Sequence, residues 1–573
     1  MSGESVNIRD PLVERLLGPG KPFELESETI GGHDHEVFKG APRNLAGLYR
    51  KGMAFGDRIM VVQGDTSITY ADGFARAAAL AKELHARYGV TKGTTVAVIT
   101  ANRPEWIIST LAITTLGGIA ALVNSRGAAE EMLRAIEKVG CTLAILDAER
   151  DDVISAATPD PVWPRIVIGE PKVALRQGDA DFAELSAPQP GVDFAPVEMQ
   201  PADGAIILFT SGTTGFPKGA LLSHGALTHS VAVATFMGTL QDVRYEEESG
   251  ETLPPDRRAM TTPAVILGPM FHLSGIMPIL RALSLGTTIH IMGKWSADVA
   301  FDMIEHVGMT RLSFVPAMLF DMFRSPRATP EMLANVRYMV NGAAPLNLEL
   351  VEQIKARMPN CQLANGYGQT EATAWTCGIS GNIYLEHPAA CGWAAPTTRV
   401  ELRRDDGSVV TGTGEPGELW VRSPMLMNQY VGDPEATAET LKDGWLASGD
   451  IATVDANGIY TIVDRKKNMV ISGGENIYCA EVERVVGDHP AVREVIAYGL
   501  PDVRLGERMA VTAVLEPGAE VVEDEIKAFS KQRLAIYKVP RDVFLVRDAL
   551  PRTASGKVDR GKFLKALRER AEA

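Results

Sequence analysis

An apolar run that opens into hydroxyls and glycines and closes on a lysine is the densest chemical signal in this chain. It reads Ile206-Ile-Leu-Phe-Thr-Ser-Gly-Thr-Thr-Gly-Phe-Pro-Lys-Gly219. Glycines let backbone N–H groups converge on an anion, and hydroxyls add further donors. Lys218 adds a positive charge, so the segment is built to hold phosphates. A mobile turn would explain the glycines but not so many hydroxyls ending in a lysine. The spacing is not that of a Walker loop, which needs Gly-Lys followed by Ser or Thr. Phe216 and Pro217 intervene here, which disfavours an ordinary P-loop ATPase.

Three further segments carry chemistry. Asn365-Gly-Tyr-Gly-Gln-Thr-Glu371 sets an aromatic between glycines and follows it with a hydroxyl and a carboxylate. Tyr367 is suited to stack on a base, Thr370 to donate to a phosphate, and Glu371 to hold Mg²⁺ beside phosphate oxygens. A plain turn into a helix reads the same residues without function. Gly444-Trp-Leu-Ala-Ser-Gly-Asp450 offers an acid that can accept from both ribose hydroxyls or simply cap a helix. Pro551-Arg-Thr-Ala-Ser-Gly-Lys557 places one lysine on a polar loop, where a solvated lysine is the ordinary reading. Gly412-Thr-Gly-Glu-Pro-Gly417 matches GxGxxG, but Pro416 lies inside it and a strand-like GELWVRS follows, so the dinucleotide-binding context is missing.

These residues need a scaffold. The chain has 573 residues, 45% of them hydrophobic, enough for one large domain of several subdomains and a smaller one. TTVAVIT (94–100), CTLAILD (141–147) and AIILFT (205–210) read as buried strands separated by helical stretches, an α/β pattern with a parallel sheet. One such helix carries Phe74, Ala77, Ala81, Leu84 and Tyr88 on one face. Residues 1–43 read as an arm over the surface, its His33-Asp34-His35 as a solvated loop. Residues 240–258 read as a charged surface loop. Residues 397–463 are β-rich, a small β-subdomain, and the last hundred alternate helix and strand as a small α+β domain. Trp106 to Val123 has no charge, but Gly117 and Gly118 break it into a buried helix and a buried strand, not a membrane span.

Charge and cysteines narrow the class. With 57 Lys and Arg against 72 Asp and Glu, the net charge of −15 disfavours nucleic-acid binding. Cys141, Cys361, Cys377, Cys391 and Cys479 form no CxxC pair, as expected of reduced thiols in the cytoplasm. No apolar signal core opens the chain.

The four motifs in this order resemble the adenylate-forming superfamily: acyl-CoA synthetases, peptide-synthetase adenylation domains and firefly-type luciferases. The resemblance spans roughly residues 44–570. It implies a nucleotide-binding domain over 44–464, a hinge over 465–468 at Lys467, and a mobile C-terminal domain over 469–573. It implies ATP, Mg²⁺ and CoA as cofactors. Thr210, Ser211, Gly212, Thr213, Thr214, Gly215 and Lys218 would wrap the triphosphate. Gly342, Ala343 and Ala344 would lie along the adenine, with Asn365, Gly366, Tyr367, Gly368 and Gln369 on its other side. Thr370 would reach the α-phosphate, and Glu371 and Thr213 the metal. Asp450, Ile462 and Arg465 would hold the nucleoside, and Lys557 would drive adenylation. Gly473 and Gly474, in Ser472-Gly-Gly-Glu-Asn-Ile-Tyr478, would frame a thiol tunnel, with Cys479 where the family often has proline.

Phe271-His-Leu-Ser-Gly275 is where the resemblance begins the acid pocket. His272 stands where amino-acid-activating members usually carry aspartate, and an unpaired ammonium there would cost several kcal/mol. Phe271, His272, Val315, Asn341, Gly366 and Ala372 form the expected wall, apolar or small, suited to a fatty or aromatic acid. His272 as a packed core histidine is the alternative. The leading expectation is an acyl-CoA ligase. The others are an enzyme that loads a carrier protein, a non-catalytic nucleotide binder, and a luciferase-like oxygenase. Lys531, Arg533, Lys538 and Arg541 are basic candidates for the CoA nucleotide. The expected partners are a small carboxylic acid and CoA, with a homodimer left open.

Overall fold

The computed structural model describes the chain except residues 1–7, 159–160, 211–216, 256–257, 294, 315, 342–347, 473–474, 503–504, 535, 554–555 and 573. It packs as two compact units, one of Asn7–Val400 with Val421–Leu446, the other built from Glu401–Trp420 and Ala447–Ala573.

The larger unit opens with a hairpin, β1 (Leu25–Ile30) against β2 (His33–Phe38). The arm expected over 1–43 is therefore folded where it is described, and His33-Asp34-His35 lies in a strand with His35 buried. Val13, Leu16, Leu17 and Phe38 explain this, packing with Phe236 and Leu240 in one apolar cluster. Next come α1 (Tyr70–Tyr88), whose Phe74, Ala77, Ala81 and Leu84 are buried, and β3 (Thr95–Ile99). The uncharged run beyond is α2 (Pro104–Thr115), buried on every side, then a turn, then β4 (Ile119–Leu122). The turn holds Gly117 at φ +75°, a conformation that L side chains rarely adopt. Among the described residues no helix is long and apolar enough to cross a membrane.

β3 pairs in parallel with β4 and with β5 (Leu143–Asp147), and β4 in parallel with β6 (Gly204–Thr210). β7 (Lys218–Ser223) returns antiparallel to β6, with Thr210 opposite Lys218. A second sheet begins with β8 (Arg311–Phe314), β9 (Tyr338–Asn341) and β10 (Gln362–Tyr367), mutually parallel. It continues antiparallel into β11 (Cys377–Ser380) and β12 (Ala390–Ala394). Parallel strands aim their C-terminal ends the same way, which brings Phe314, Asn341 and Tyr367 to one edge.

The charged segment read as a loop over 240–258 is helical as far as Ser249. It is the second half of α3 (His224–Ser249), capped by Ser223 at its start and Gly250 at its end. Its first polar residues, Gln241, Asp242 and Arg244, are partnered inside the protein. Gln241 Nε2 donates to the Gln362 carbonyl at 3.3 Å, and Arg311 donates to Gln241 Oε1 at 3.1 Å. Buried Asp242 accepts from the Tyr338 hydroxyl at 2.6 Å and from the Ala259 amide at 3.0 Å. Arg244 pairs with Asp10. α3 thus ties together the starts of β8, β9 and β10.

In the smaller unit, β13 (Trp445–Val454) pairs antiparallel with β14 (Tyr460–Arg465). β15 (Val470–Ser472) and β16 (Glu475–Ile477) form a hairpin. β17 (Val492–Asp502) pairs antiparallel with β18 (Gly506–Leu515), which pairs in parallel with β19 (Asp542–Val546). Helices α5 (Cys479–Gly487) and α6 (Glu523–Lys531) bury Val482, Val485, Val486 and Ile526 in the core beside these strands.

Asp242→Ala leaves two buried donors without an acceptor. It should lower unfolding free energy by about 2–3 kcal/mol, read as a fall in the urea midpoint with an unchanged slope. Tyr338→Phe should cost less, because Asp242 keeps the Ala259 amide.

Candidate active site

The phosphate-type loop is anchored at both ends by the β6–β7 hairpin, since Thr210 and Lys218 face each other in register. Ser211, Gly212, Thr213, Thr214 and Gly215 lie outside the described residues. On its outer side β7 pairs with the short strand Gln429–Tyr430, and the Val431 amide donates to the Gly219 carbonyl at 2.8 Å. This pairing sets the Lys218 ammonium 5.1 Å from the centre of the Tyr430 ring. The Tyr430 hydroxyl donates to Glu371 Oε1 at 2.6 Å, and the Met427 amide donates to the Glu371 carbonyl at 2.8 Å. One tyrosine therefore joins two motifs that lie 153 positions apart, from Lys218 to Glu371. Burial, then the Glu371 carboxylate, push the Tyr430 phenol far above its ordinary pKa, which keeps it a donor.

Glu371 is itself buried, and its Oε2 has no hydrogen-bond partner among the described residues. Nor do three His, Cys, Asp or Glu side chains cluster among those residues. One carboxylate with a free oxygen fits Mg²⁺, which takes one or two carboxylates and completes its shell with phosphate and water.

The chain around Glu371 is tightly folded. Thr370–Ala372 is a single 3-10 turn, after which Thr373 and Ala374 take φ of +47° and +89°. Non-glycine residues held there cost about 1–3 kcal/mol each unless their surroundings impose the shape. Here Thr373 donates to the Met425 carbonyl at 2.6 Å, the Ser230 hydroxyl donates to the Thr373 carbonyl, and the Thr376 amide donates to the Tyr367 carbonyl at 2.8 Å. A Cβ on Gly368 would sit 1.2 Å from the Ala374 carbonyl oxygen, and one on Gly366 would meet the Trp375 ring at 2.5 Å. Gln369 caps the turn. Asn341 and Asn365 face each other at the ends of β9 and β10, and Asn365 donates to the Ala390 carbonyl at 2.8 Å. Ala372 is buried. Gly342, Ala343, Ala344 and Val315 lie outside the described residues.

Helix α4 (Leu273–Leu285) starts at His272, whose half-buried ring stands 4.6 Å from the buried Phe271 ring. Asn102 clamps the approach, donating to the Gly268 carbonyl at 2.9 Å and accepting from the Met270 amide at 3.0 Å.

The smaller unit carries Asp450, Ile462, Arg465 and Lys557. Asp450 is not a helix cap. It lies within β13, opposite Arg465 in β14, and Arg465 Nε reaches its Oδ1 at 3.1 Å. Ile462 is half-buried on β14. Lys557 stands on a turn closed by the Thr553 amide and the Lys557 carbonyl, with solvent access. Desolvation, then Arg465, hold its pKa below the ordinary lysine value, while Asp450 opposes them. Lys467 falls in the 3-10 turn Lys466–Asn468, and its side chain is outside the description. Gly473 and Gly474, between β15 and β16, are outside it too. Cys479 is the first residue of α5, a position where proline fits equally well, and its thiol donates to the Asn468 carbonyl at 2.8 Å. Asp464 accepts from the next amide, Ala480, at 2.8 Å.

Residues 48–431 match the family model described as AMP-binding enzyme, and 481–557 match the AMP-binding enzyme C-terminal domain. The chain belongs to the AMP-binding enzyme family. It is 33% identical over 503 residues to feruloyl-CoA synthase of an Amycolatopsis species, covering 88% of this chain and 94% of that one. It is 33% identical over 497 residues to a long-chain-fatty-acid–CoA ligase of Mycobacterium tuberculosis, covering 86% and 92%. Among solved structures it resembles O-succinylbenzoate coenzyme A synthetase of Bacillus subtilis in complex with ATP and magnesium ion. The TM-score is 0.74 and the identity 27%, over 90% of this chain and 98% of that one.

Sequence reasoning missed Tyr430 and Asn102. Neither stands in a spaced motif, and each is recruited by strand pairing or chain reversal that only the fold reveals.

Gly368→Ala should weaken AMP binding more than tenfold by calorimetry, because the added carbon forces the 370–374 turn open. Unaltered affinity would show that the turn tolerates displacement.

Proposed function

We propose that this member of the AMP-binding enzyme family is an ATP-dependent acid–thiol ligase for a fatty or aromatic carboxylic acid, with CoA as the thiol. The junction of Lys218, Tyr430 and Glu371 carries the reading. It sets an anion-binding loop beside a buried carboxylate with a free oxygen, the arrangement needed for a magnesium-bound triphosphate.

In the first step a carboxylate oxygen attacks the α-phosphorus, the bond to the bridging oxygen breaks, and pyrophosphate leaves. A weak anionic nucleophile approaching an anionic phosphorus gains little from covalent help, so positioning and charge neutralisation dominate. Lys218 and the 210–215 hydroxyls hold the tail, Thr370 donates at the α-phosphate, and Asp450 accepts from the ribose. Glu371 and Thr213 would hold Mg²⁺, which would neutralise the phosphate oxygens. Lys557 aims its ammonium at the charge that develops. In the second step the CoA thiol, losing its proton, attacks the adenylate carbonyl, and AMP leaves as the thioester forms. The acid lies against Phe271, His272, Asn341, Gly366 and Ala372, and Gly473 and Gly474 frame the thiol path. A swing about Lys467 between the steps belongs to the same proposal. So does a cytoplasmic location, consistent with five free cysteines.

The test is pyrophosphate release with ATP, Mg²⁺ and a panel of fatty, aryl and amino acids, each with and without CoA. CoA-dependent turnover on one acid class supports the ligase. A single burst indifferent to CoA points to carrier-protein loading, and silence across the panel to a nucleotide binder without catalysis.

Lys557→Ala should slow adenylation about 10²–10³-fold and spare thioester formation from a supplied acyl adenylate. The ammonium is the working form, so adenylation should fall as pH rises through a lysine pKa that lies below its ordinary value. Lys557→Arg should carry that alkaline limb upward, seen in a pH profile of single-turnover adenylation.

A further inference from the structure

Helix α4 buries one side and leaves the other open. Gly275, Ile276, Met277, Ile279, Leu280, Ala282 and Leu283 are buried. Ser274, Pro278, Arg281 and Leu285, spaced four, three and four apart, keep solvent access. That spacing puts them on one stripe, which begins beside His272. Pro278 lacks the amide that would bond the Ser274 carbonyl, so the upper part of the stripe is already polar.

Arg281 is the anomaly on this stripe. Among the described residues it makes no hydrogen bond and no ion pair, and it touches no aromatic face. The charge felt most strongly at its guanidinium is another cation, Arg311, and burial and that charge both push its pKa down. Arg311 is compensated: it donates to Gln241 Oε1 at 3.1 Å, lies 5.9 Å from the Tyr338 ring centre, and is attracted by Asp242. Among the described residues Arg281 has no such partner. A side chain deep in the protein yet in contact with solvent faces a space that a ligand can enter, and a cation there without an anionic partner is costly unless a ligand completes it.

The cavity's depth follows from helix and strand geometry. Nine residues separate His272 from Arg281, or roughly 13 Å along the helix axis. Arg311, whose charge is felt at Arg281, lies three residues before Phe314 on β8, roughly 10 Å along the strand from the edge of the sheet. Two independent elements thus set the cationic pair about one long acyl chain or fused ring system below the reacting carboxyl group.

We propose that Arg281 is a specificity residue that recognises a second carboxylate at the far end of the acid, so that the substrate is a dicarboxylic acid. The inference rests on the ligase reading above, with the reacting carboxyl group near His272. Arginine suits the role because its planar fork takes a carboxylate by two parallel hydrogen bonds.

The test uses the full chain and matched acids: decanoic against decanedioic acid, and cinnamic against 4-carboxycinnamic acid. In the unmodified enzyme the diacid of at least one pair should exceed its monoacid tenfold or more in kcat/KM. Arg281→Leu should invert that preference, chiefly through the KM for the acid, and Arg281→Lys should keep part of it. Thermal shift gives a readout free of turnover: the diacid should raise the Tm of the unmodified protein and not that of Arg281→Leu. The variant should melt no lower than its parent, because it loses an uncompensated charge. Preference for both monoacids, or a diacid preference that survives in Arg281→Leu, would overturn the inference and leave the ligase reading standing. Absence of CoA-dependent turnover on every acid would overturn both.

Discussion

The hydrogen bond from Tyr430 to Glu371 is where the larger unit's chemistry converges. Its two ends belong to different sheets. Tyr430 hangs from the edge of the first sheet by its pairing with β7, while Glu371 follows the last turn of β10 in the second. A buried hydrogen bond to a charged acceptor is worth about 1.5–3 kcal/mol, and its geometric effect is larger than its energy. It fixes the separation between the lysine that closes the anion loop and the carboxylate suited to the metal. The strained turn at Thr373 and Ala374, the glycines at 366 and 368, and the clamp from Met425 and Met427 all serve to hold that carboxylate still.

Much of this was legible in the residues. Lys218, Glu371, Asp450 and Lys557 could be found because phosphate and metal chemistry demands particular types at short spacing, and short spacing survives in one dimension. The alternating buried strands and the helix from Tyr70 to Tyr88 were legible because burial imposes a period. The failures have a common cause. Residues 240–249 looked like solvated loop because their charges were read as facing water. In the fold Gln241, Asp242 and Arg244 meet Gln362, Tyr338 and Asp10, partners 96 to 234 positions away. The N-terminal hairpin was missed for the same reason: its apolar residues are too sparse to show a period, and they find their partners on a distant helix. Asp450 could be read as a helix cap and lies inside a strand, since nothing local in Ser448-Gly449-Asp450 announces the pairing with Arg465.

The smaller unit repeats the lesson on a shorter scale. Asp464 ends one strand and caps the start of α5, and the Cys479 thiol bonds back to Asn468. The first bond spans the 3-10 turn at Lys466–Asn468, and the second ends on its last residue. Cysteine in place of proline leaves the helix start intact, because the first position of a helix needs no amide partner within the helix.

The Trp375 ring has a consequence for how this site can change over generations. It lies against Gly366 and within 3.3 Å of where a Cβ on Gly378 would stand. Gly366 cannot acquire a side chain while the ring is in place, and Gly378 is blocked chiefly by the Met237 methyl at 2.4 Å, yet the ring can shrink while both glycines stay. Substitutions here are therefore ordered in time. A lineage that reshapes this wall must alter the tryptophan first, and only its descendants are free to alter Gly366.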